Sequence, residues 1–387
     1  MPSTPSHPDR PLSAVVMPPG PELFAAVRDA LSGAGPAVLP LAPGPAADAA
    51  IAALRPTDAG GRPLDGGRGV PGDVAVVIAT SGSTGTPKGV LLSARALRAS
   101  AAASLRRLGA AEGERWLCCL PPSHVSGLQV LVRALLSGTE PIVHDRFDPE
   151  RVLASGARHV SLVPTQLHRL VEMRADLSVF ATILLGGAAA RPALLERARG
   201  LGARVVTTYG MSETCGGCVY DGRPLDGVDV KVGDDGRIRV AGPVLFSGYR
   251  SGEPVPRDGA WFVTSDLGEL SGGRLRVLGR ADDVINTGGE KVVAGAVAAV
   301  LGAHPEVADV AVVGRPDPEW GEVVVAVVVP ADASRPPTLP HLRAYCAERL
   351  PAYAAPRELR LVPRLPLLPN GKPDLVRLRS QASSRPV

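Results

Sequence analysis

The stretch that decides the fold is ATSGSTGTPKGV, residues Ala79–Val90, which follows directly on the apolar run DVAVVIA, residues Asp73–Ala79. A short, nearly all-apolar run is typical of a strand buried on both faces of an α/β sheet. In the loop, glycines permit close approach of a ligand, hydroxyls can donate hydrogen bonds, and Lys88 is cationic. The loop therefore suits a polyphosphate. It is not a P-loop, because the G-x-x-x-x-G-K-[ST] pattern excludes Pro87 and Gly89 at their positions.

Strands and helices alternate on both sides of this loop. Upstream, apolar residues at helical spacing follow Glu22, and downstream Ser93 is placed to cap a helix. A further helical pattern covers Pro192–Arg199. Apolar runs predict strands at Trp116–Leu120, Val160–Val163, Thr182–Leu185 and Arg204–Thr208. This alternation predicts a layered α/β core.

The pattern changes after Val228. Residues 228–240 and 261–280 each contain two strand-like runs joined by a turn, which predicts a small antiparallel β module. Beyond Asp282 we predict a helix, two strands and a second helix, at Ala294–Leu301, Val307–Val313, Glu322–Val329 and Leu339–Leu350.

These patterns give the domain organisation that we expect. The fold class is α/β, with a large N-terminal domain, residues 1–281, of layered α/β subdomains plus the β module. A small, mobile α+β domain, residues 282–387, follows. Residues 1–20 are rich in proline and are predicted to form a disordered tail.

The composition narrows the classes of function. The chain has 387 residues, 45% of them hydrophobic, which is enough for several domains with sizeable cores. Its net charge of +4 is spread over scattered arginines, which argues against nucleic acid as a partner and suits anionic small molecules. No apolar run approaches the roughly 18 residues of a membrane span, and no export signal is apparent, so we predict a cytoplasmic protein without membrane insertion. The oligomeric state, a homo-oligomer included, stays open.

Cysteine spacing leaves one motif to interpret. Among the five cysteines, Cys215 and Cys218 have CxxC spacing. A redox pair or half of a metal site is one interpretation, but no second CxxC or histidine pair completes a zinc set. We prefer two small apolar residues in a glycine turn.

The loop resembles a known family motif. Thr80–Gly89 satisfies every specified position of [ST]-[ST]-G-[ST]-T-G-x-P-K-G, the phosphate loop of the adenylate-forming superfamily. This superfamily includes acyl-CoA synthetases, luciferases and the adenylation domains of peptide synthetases. Other stretches resemble its further motifs in the same order: Gly186–Ala188, Tyr209–Thr214, Thr264–Gly268, Gly279–Asp283 and Pro366–Lys372. The resemblance covers most of the chain.

The resemblance implies an ATP-dependent acid–thiol ligase that uses Mg²⁺ and CoA. A carboxylic acid attacks the α-phosphate of ATP to give an acyl-adenylate and pyrophosphate, and a thiol then displaces AMP. Lys372 would bridge the carboxylate and the α-phosphate, and Glu213 would hold Mg²⁺. Thr84 and Lys88 would act on the phosphates, and Asp282 would be the hinge. The residues implied to contact ATP or CoA are Thr80, Ser81, Gly82, Ser83, Thr84, Gly85, Lys88, Gly186, Gly187, Ala188, Tyr209, Gly210, Ser212, Asp266, Arg280, Gly288 and Gly289.

The acid pocket is predicted around the segment PPSHVSG, Pro121–Gly127. His124 stands where the superfamily has a gating aromatic or histidine, and a satisfied core histidine is the alternative. In the apolar helix that follows, Gln129 and Arg133 lie four residues apart on one face. A buried arginine requires an anionic partner, either an internal Asp or Glu or a second carboxylate of the substrate. The further pocket candidates are Ser161, Thr165 and Gln166.

One branch of the superfamily fits these features. The pattern S-H-V-S-G-L-x-x-L-x-R, ending at Arg133, resembles the bacterial o-succinylbenzoyl-CoA synthetases of menaquinone biosynthesis, whose substrate is a dicarboxylate. The alternatives are a CoA ligase for a monocarboxylic acid, with Arg133 in a structural ion pair, and an adenylating enzyme that loads a carrier protein. A non-catalytic nucleotide-binding protein is the alternative from a different class.

Overall fold

The computed structural model describes residues 9–59, 66–80, 87–367 and 373–383. The described chain divides into two compact units. The first comprises the described residues of Met1–Gly187, Arg197–Val230 and Val240–Val263, and the second those of Ala188–Glu196, Lys231–Arg239 and Thr264–Val387. The domain boundary after residue 281, the hinge at Asp282 and the mobility of the C-terminal domain stay predictions.

The helices are distributed along the whole described chain. They are α1 (Pro21–Ser32), α2 (Pro45–Leu54), α3 (Ala94–Leu108), α4 (Val125–Leu136), α5 (Pro149–Leu153), α6 (Pro164–Glu172), α7 (Pro192–Gly200), α8 (Ala294–Leu301), α9 (Leu339–Ala347) and α10 (Leu375–Ser383). Short 3₁₀ turns lie at Leu177–Val179, Ser212–Thr214, Ala281–Asp283 and Ala352–Ala354.

The strands up to residue 230 belong mainly to the α/β part of the chain. They are β1 (Leu12–Val16), β2 (Ala37–Leu41), β3 (Asp58–Ala59), β4 (Val74–Ile78), β5 (Val90–Ser93), β6 (Trp116–Cys118), β7 (Ile142–Val143), β8 (His159–Leu162), β9 (Thr182–Leu185), β10 (Val205–Met211), β11 (Gly216–Tyr220) and β12 (Arg223–Pro224). Later strands are β13 (Asp229–Val232), β14 (Arg237–Ala241), β15 (Gly248–Tyr249), β16 (Arg257–Asp258), β17 (Trp261–Ser271), β18 (Arg274–Arg280), β19 (Val284–Thr287), β20 (Glu290–Val293), β21 (Val307–Asp317), β22 (Gly321–Pro330) and β23 (Glu358–Leu361).

Two sheets with helices between them form the core of the first unit. In the first sheet the strands lie in the order β15-β5-β4-β2-β1-β3, and in the second β12-β11-β10-β9-β8-β6-β7. The pairs of β1 with β2 and β3, of β2 with β4, and those among β6 to β10 are parallel. The pairs β4 with β5, β5 with β15, β10 with β11 and β11 with β12 are antiparallel. Helix α3 packs on β4 and β5, α4 packs on β6 and β8, and the two helices pack on each other. The layered α/β core is therefore confirmed.

Local sequence explains where the helix after the loop begins and ends. The Ser93 hydroxyl accepts a hydrogen bond from the Ala96 amide at 3.1 Å, as predicted for the cap of α3. Gly109 ends the helix with φ 67°. The apolar side faces the core, with Leu97 and Ala101 completely buried.

The predicted disordered tail is wrong for the residues from Leu12 onward. Leu12–Val16 is strand β1, which lies in the first sheet between β2 and β3. Leu12 and Ala14 are completely buried, and the Leu12 amide donates a hydrogen bond to the Thr57 hydroxyl at 2.8 Å. The prolines around this short run concealed it, because only pairing with strands distant in sequence buries its alternating apolar residues. Residues 1–8 lie outside the described part of the chain.

The second unit contains the predicted antiparallel hairpin and α+β domain. Strands β17 and β18 pair antiparallel, and β13, β14, β17 and β16 are neighbours in that order in one sheet. The last sheet has the order β20-β19-β22-β21, with β23 paired to β22. Helix α8 has the predicted bounds and packs on β21 and α9. Strands β19, β20 and β23 are not indicated by the sequence, because each has only four residues and a weak apolar pattern.

Arg250 joins several backbone segments of the first unit. It is 5% exposed, and its guanidinium donates to the carbonyls of Leu54, Arg55, Arg68 and Gly69. Burial and the nearby charge of Arg68 lower the pKa of Arg250 to about 10, so it remains cationic at neutral pH. A single side chain thus supplies hydrogen-bond donors to the carbonyls of four residues in two separate segments.

We expect Arg250→Met to lower the free energy of unfolding by about 2–3 kcal/mol, because it removes charge-assisted hydrogen bonds to these carbonyls. Urea denaturation followed by circular dichroism measures the change. Arg95→Met is the matched control, since Arg95 is exposed on α3 and its loss should change the value by less than about 0.5 kcal/mol. Equal losses in the two variants would contradict a specific role for Arg250.

Within the described ranges, we find no helix with both the length and the apolar character required to traverse a bilayer.

Candidate active site

The two ends of the predicted phosphate loop are held together where it joins β4 to β5. The Lys88 amide donates to the Thr80 carbonyl at 3.1 Å, which closes the base of the loop. Gly89 has φ 65°, and a Cβ there would lie 2.7 Å from Cδ2 of Leu54, so this position requires glycine. The predicted phosphate contacts Ser81, Gly82, Ser83, Thr84 and Gly85 lie outside the described residues.

Glu213, the predicted metal ligand, stands in the turn Ser212–Thr214 that follows β10. Its Oε1 accepts a hydrogen bond from the Tyr249 hydroxyl at 3.0 Å, and its carbonyl accepts one from the Phe246 amide at 2.9 Å. Burial, together with the charges of Glu213 and Glu253, raises the pKa of Tyr249, so the hydroxyl is protonated and donates. No cationic side chain among the described residues pairs with Glu213. Its negative charge is thus available for a cation.

Tyr249 also connects Glu213 with the lysine of the phosphate loop. Nζ of Lys88 lies 5.8 Å from the centroid of the Tyr249 ring and 2.6 Å from Oε2 of Glu253. The structure thus brings Lys88 and Glu213 together through Tyr249. Tyr249 and Glu253 are not indicated by the sequence, because no motif or spacing relates them to residues so distant along the chain.

The predicted adenine-binding residues lie at one edge of the second sheet. Gly186–Gly187 follows the end of β9, and Tyr209 lies near the end of its parallel neighbour β10. Because parallel strands end at the same edge, these residues are close to the turn that begins with Ser212. A Cβ on Gly210 would collide with the backbone of Gly216, which explains the glycine. The role of these residues beside adenine stays a prediction.

The predicted ribose contacts and hinge residue form one charged cluster in the second unit. Asp266 and Arg280 are paired across the β17–β18 hairpin. Nη1 of Arg280 lies 3.8 Å from Oδ1 of Asp266, and its Nη2 donates to Oδ2 of Asp282 at 2.9 Å. Burial acts to lower the pKa of Arg280, but the hydrogen bond that it donates to Asp282 and the charges of Asp266, Asp282 and Asp283 raise it overall.

Gly288 and Gly289 form the turn between β19 and β20, with φ of 60° and 82°. The Gly288 amide donates to the Trp320 carbonyl at 2.9 Å. Ala188, the last residue of the predicted adenine segment, is exposed. The roles predicted for these three residues beside CoA or the nucleotide stay predictions.

Lys372 lies outside the described residues, and the nearest described residues on its two sides are Leu367 and Pro373. Leu367 forms a β-bridge with Pro373, and the Asp374 amide donates to the Pro366 carbonyl at 2.9 Å. The carboxylate of Asp374 accepts a hydrogen bond from the Arg377 amide at 3.0 Å and so caps α10. The segment that carries Lys372 is therefore anchored at each end.

Arg133, in the predicted acid pocket, is buried beneath the second sheet with 4% exposure. Its Nη2 donates to the Ser161 hydroxyl at 3.0 Å, and its guanidinium carbon lies 4.6 Å from the centroid of the Trp116 ring. Its Nε has no partner among the described residues, and no carboxylate there forms an ion pair with it. Burial lowers the pKa of Arg133. Of the two anionic partners left open by the sequence, the internal one is not found in the described chain.

The Trp116 ring that contacts Arg133 is itself part of a stack of side chains. Trp116 stacks on His159, with ring centroids 4.6 Å apart and an interplanar angle of 25°. Nε2 of His159 lies 2.9 Å from Oε2 of Glu114. Burial lowers the pKa of His159, so the ring is neutral at pH 7 and adds no positive charge beside Arg133. Trp116 was predicted only as part of a strand.

The other predicted pocket residues have mixed placements. Gln129 is 3% exposed, and its amide donates to the Cys215 carbonyl at 2.8 Å, while its Oε1 has no partner in the described chain. His124 is exposed immediately before α4, so the alternative of a core histidine is wrong. Thr165 is exposed on α6, and Oε1 of Gln166 accepts from the Val163 amide at 3.2 Å and so caps its own helix. Among the described side-chain hydrogen bonds, only that between Arg133 and Ser161 joins two of the predicted pocket residues.

Comparison with known proteins identifies the family. The profile of the AMP-binding enzyme family matches residues 43–250, and that of the AMP-binding enzyme C-terminal domain matches residues 296–372. The chain belongs to the AMP-binding enzyme family. A probable 2-succinylbenzoate–CoA ligase of Mycobacterium tuberculosis is 46% identical over 326 residues, which cover 80% of this chain and 84% of that protein. The 2-succinylbenzoate–CoA ligase of Bacillus licheniformis is 36% identical over 324 residues, with 76% and 67% covered.

Solved structures of AMP-binding enzymes share the fold. The o-succinylbenzoate CoA synthetase MenE of Bacillus subtilis, in complex with the acyl-adenylate intermediate OSB-AMP, has a TM-score of 0.75 at 28% identity and covers 99% of this chain and 89% of its own. ATP-bound MatB of Rhodopseudomonas palustris has a TM-score of 0.84 at 23% identity, over 97% and 89% of the two chains. The expected fold class, with a small C-terminal α+β part, is confirmed.

The CxxC cysteines of this AMP-binding enzyme are core residues. Cys215 and Cys218 are buried and unpaired. Burial raises the pKa of both thiols, that of Cys218 to about 12. Protonated, buried thiols are poor nucleophiles and poor ligands, so these side chains act as small apolar residues beside the β10–β11 turn.

Glu213 has the chemistry that an ATP-bound Mg²⁺ requires. Mg²⁺ is commonly bound through one or two carboxylates, phosphate oxygens and water. Among the described residues, no group of three or more His, Cys, Asp or Glu is arranged around a common metal position. A single carboxylate held by Tyr249 therefore fits a cation that takes its other ligands from substrate and solvent.

Proposed function

We propose that this AMP-binding enzyme is an ATP-dependent 2-succinylbenzoate–CoA ligase, which forms an acyl-adenylate and then a CoA thioester. The observation that supports this substrate is the environment of Arg133. Its guanidinium is a buried cation without a carboxylate partner in the described chain. A substrate with two carboxylates can present one for activation and the second to this guanidinium. The relatives named as 2-succinylbenzoate–CoA ligases support the same assignment.

The proposed first step joins the acid to AMP. Lys88 and the loop that ends with it would hold the phosphates, and Lys372 would bridge the attacking carboxylate and the α-phosphate. Mg²⁺ at Glu213 would supply charge screening for the triphosphate when bound. The added negative charge of the transition state is stabilised by these fixed charges, so the barrier falls mainly through electrostatics and positioning. The carboxylate oxygen forms a bond to the α-phosphorus, the bond between the α-phosphorus and pyrophosphate breaks, and pyrophosphate leaves.

The proposed nucleotide site uses the remaining predicted residues. Tyr209 and the Gly186–Gly187 edge would contact adenine, and Asp266 would accept hydrogen bonds from the ribose hydroxyls. In the second step the thiol of CoA attacks the acyl carbon and AMP leaves with its oxygen. Gly288 and Gly289 would line the passage of the pantetheine chain, because glycine permits close approach to the backbone.

Substrate profiling tests this function. We expect ATP- and Mg²⁺-dependent pyrophosphate release with 2-succinylbenzoate. Its kcat/KM should be about 10²-fold higher than that of 4-oxo-4-phenylbutanoate, which lacks the ring carboxylate. Mass spectrometry should detect the CoA thioester only when CoA is present. Release with monocarboxylic acids alone would remove the dicarboxylate assignment. Release without any CoA thioester would favour a carrier protein as acceptor, and no release with any acid would favour a non-catalytic protein.

A further inference from the structure

Lys88, the cation assigned to the ATP phosphates, already has a counter-ion in this structure. Its Nζ lies 2.6 Å from Oε2 of Glu253, and both residues belong to the first unit. The two side chains are 27% and 46% exposed, so solvent reaches the pair. An ammonium group at this distance from a carboxylate has donated one of its hydrogen bonds to it.

The backbone fixes this arrangement. Strand β15 pairs antiparallel with β5, with Tyr249 opposite Val90. Beyond that pair, the Arg250 amide donates to the Gly89 carbonyl at 2.8 Å, and the Ser251 amide donates to the Lys88 carbonyl at 3.3 Å. Lys88 and the segment leading to Glu253 are therefore held side by side by their main chains.

The segment that leads to Glu253 is also anchored by the side chain of Arg250. The buried guanidinium of Arg250 donates to carbonyls of four residues, Leu54, Arg55, Arg68 and Gly69. Glu253 lies only three positions after Arg250, so its backbone is held near that of Lys88. Its carboxylate can therefore contact the Lys88 ammonium group. The ion pair thus follows from the fixed positions of the two backbone segments, and not from a chance meeting of two flexible side chains.

We propose that Glu253 is a displaceable counter-ion of Lys88, which the phosphates of the nucleotide replace and which thereby sets the affinity for ATP. The inference rests on the proposed function, since it assigns Lys88 to ATP. A carboxylate and a phosphate oxygen compete for the same ammonium group, and they repel each other when both are near it. A solvent-accessible ion pair changes an equilibrium constant by about fivefold at most, so a triphosphate can displace it.

Removal of the Glu253 charge should therefore tighten ATP binding. We expect Glu253→Gln to lower the Kd of MgATP, measured by isothermal titration calorimetry, about two- to fivefold. The Kd of AMP should change less than about twofold, because AMP lacks the β- and γ-phosphates. Raising the salt concentration should reduce the difference between variant and wild type.

Two further variants make the result specific. Glu112→Gln removes the same charge from an exposed position elsewhere in the first unit and should leave the Kd of MgATP unchanged. Glu253→Asp retains the charge and should bind MgATP like the wild type. Weaker or unchanged MgATP binding in Glu253→Gln would overturn the inference while leaving the proposed function intact. Failure of the wild type to bind MgATP would overturn both.

Discussion

Lys372→Ala should lower the rate of ATP-dependent pyrophosphate release about 10³-fold, with little change in the KM of the acid. The physical reason is that the ammonium group would neutralise charge that develops between the carboxylate and the α-phosphate. Removing one preorganised donor of this kind costs about 2.7–4 kcal/mol in other enzymes. A continuous pyrophosphate assay with 2-succinylbenzoate measures the loss.

The second half-reaction separates a catalytic role from a structural one. Synthetic 2-succinylbenzoyl-adenylate with CoA bypasses adenylation, so Lys372→Ala should form the thioester within about threefold of the wild-type rate. Lys231→Ala, which removes a lysine from β13, is the matched control and should affect neither step. Equal losses in both half-reactions would contradict a specific role for Lys372 in adenylation.

Arg133→Met should lower kcat/KM for 2-succinylbenzoate about 10²- to 10³-fold. The guanidinium has no carboxylate partner among the described residues, so a carboxylate of the substrate would be the group that compensates its burial. Methionine fills similar volume without charge. The same substitution should change kcat/KM for 4-oxo-4-phenylbutanoate less than about fivefold, because that acid has no second carboxylate.

Controls keep this prediction independent of folding. Arg133→Lys retains the positive charge but not the planar fork, so it should show a smaller loss than Arg133→Met. Ser161→Ala removes the hydroxyl that accepts a hydrogen bond from Nη2 of Arg133. It should lower kcat/KM for 2-succinylbenzoate about tenfold at most. Circular dichroism establishes that each variant is folded. Equal losses for the two acids in Arg133→Met would identify Arg133 as a packing residue of the Trp116 stack.

Local sequence was sufficient for the strongest elements of the fold. The nearly all-apolar run Asp73–Ala79 contains strand β4, and the Ser93 cap and the helix Ala294–Leu301 appear as predicted. Each is specified by residues within one element, through periodicity or a cap. Strand β1 was mistaken for part of a tail, because its five residues are stabilised by pairing with strands that lie far along the chain.

The candidate site divides in the same way. Motifs with fixed spacing identified Lys88, Glu213, Asp266 and Arg280 as candidates, since the chemistry of a phosphate loop or a ribose contact requires particular residue types close together in sequence. Tyr249 was not found, because its hydroxyl reaches Glu213 only after β15 has paired with β5.

The sequence by itself determined the family, the alternation of strands and helices, and the residue types of the phosphate and ribose motifs, because these are properties of contiguous segments. Only the tertiary structure decided which side chains meet. It placed Arg133 against Trp116 and Ser161 with no carboxylate from the described chain, and it placed Glu253 against Lys88. The physical reason is that burial and charge pairing depend on contacts between distant segments, and sequence periodicity carries no information about which distant segments pack together.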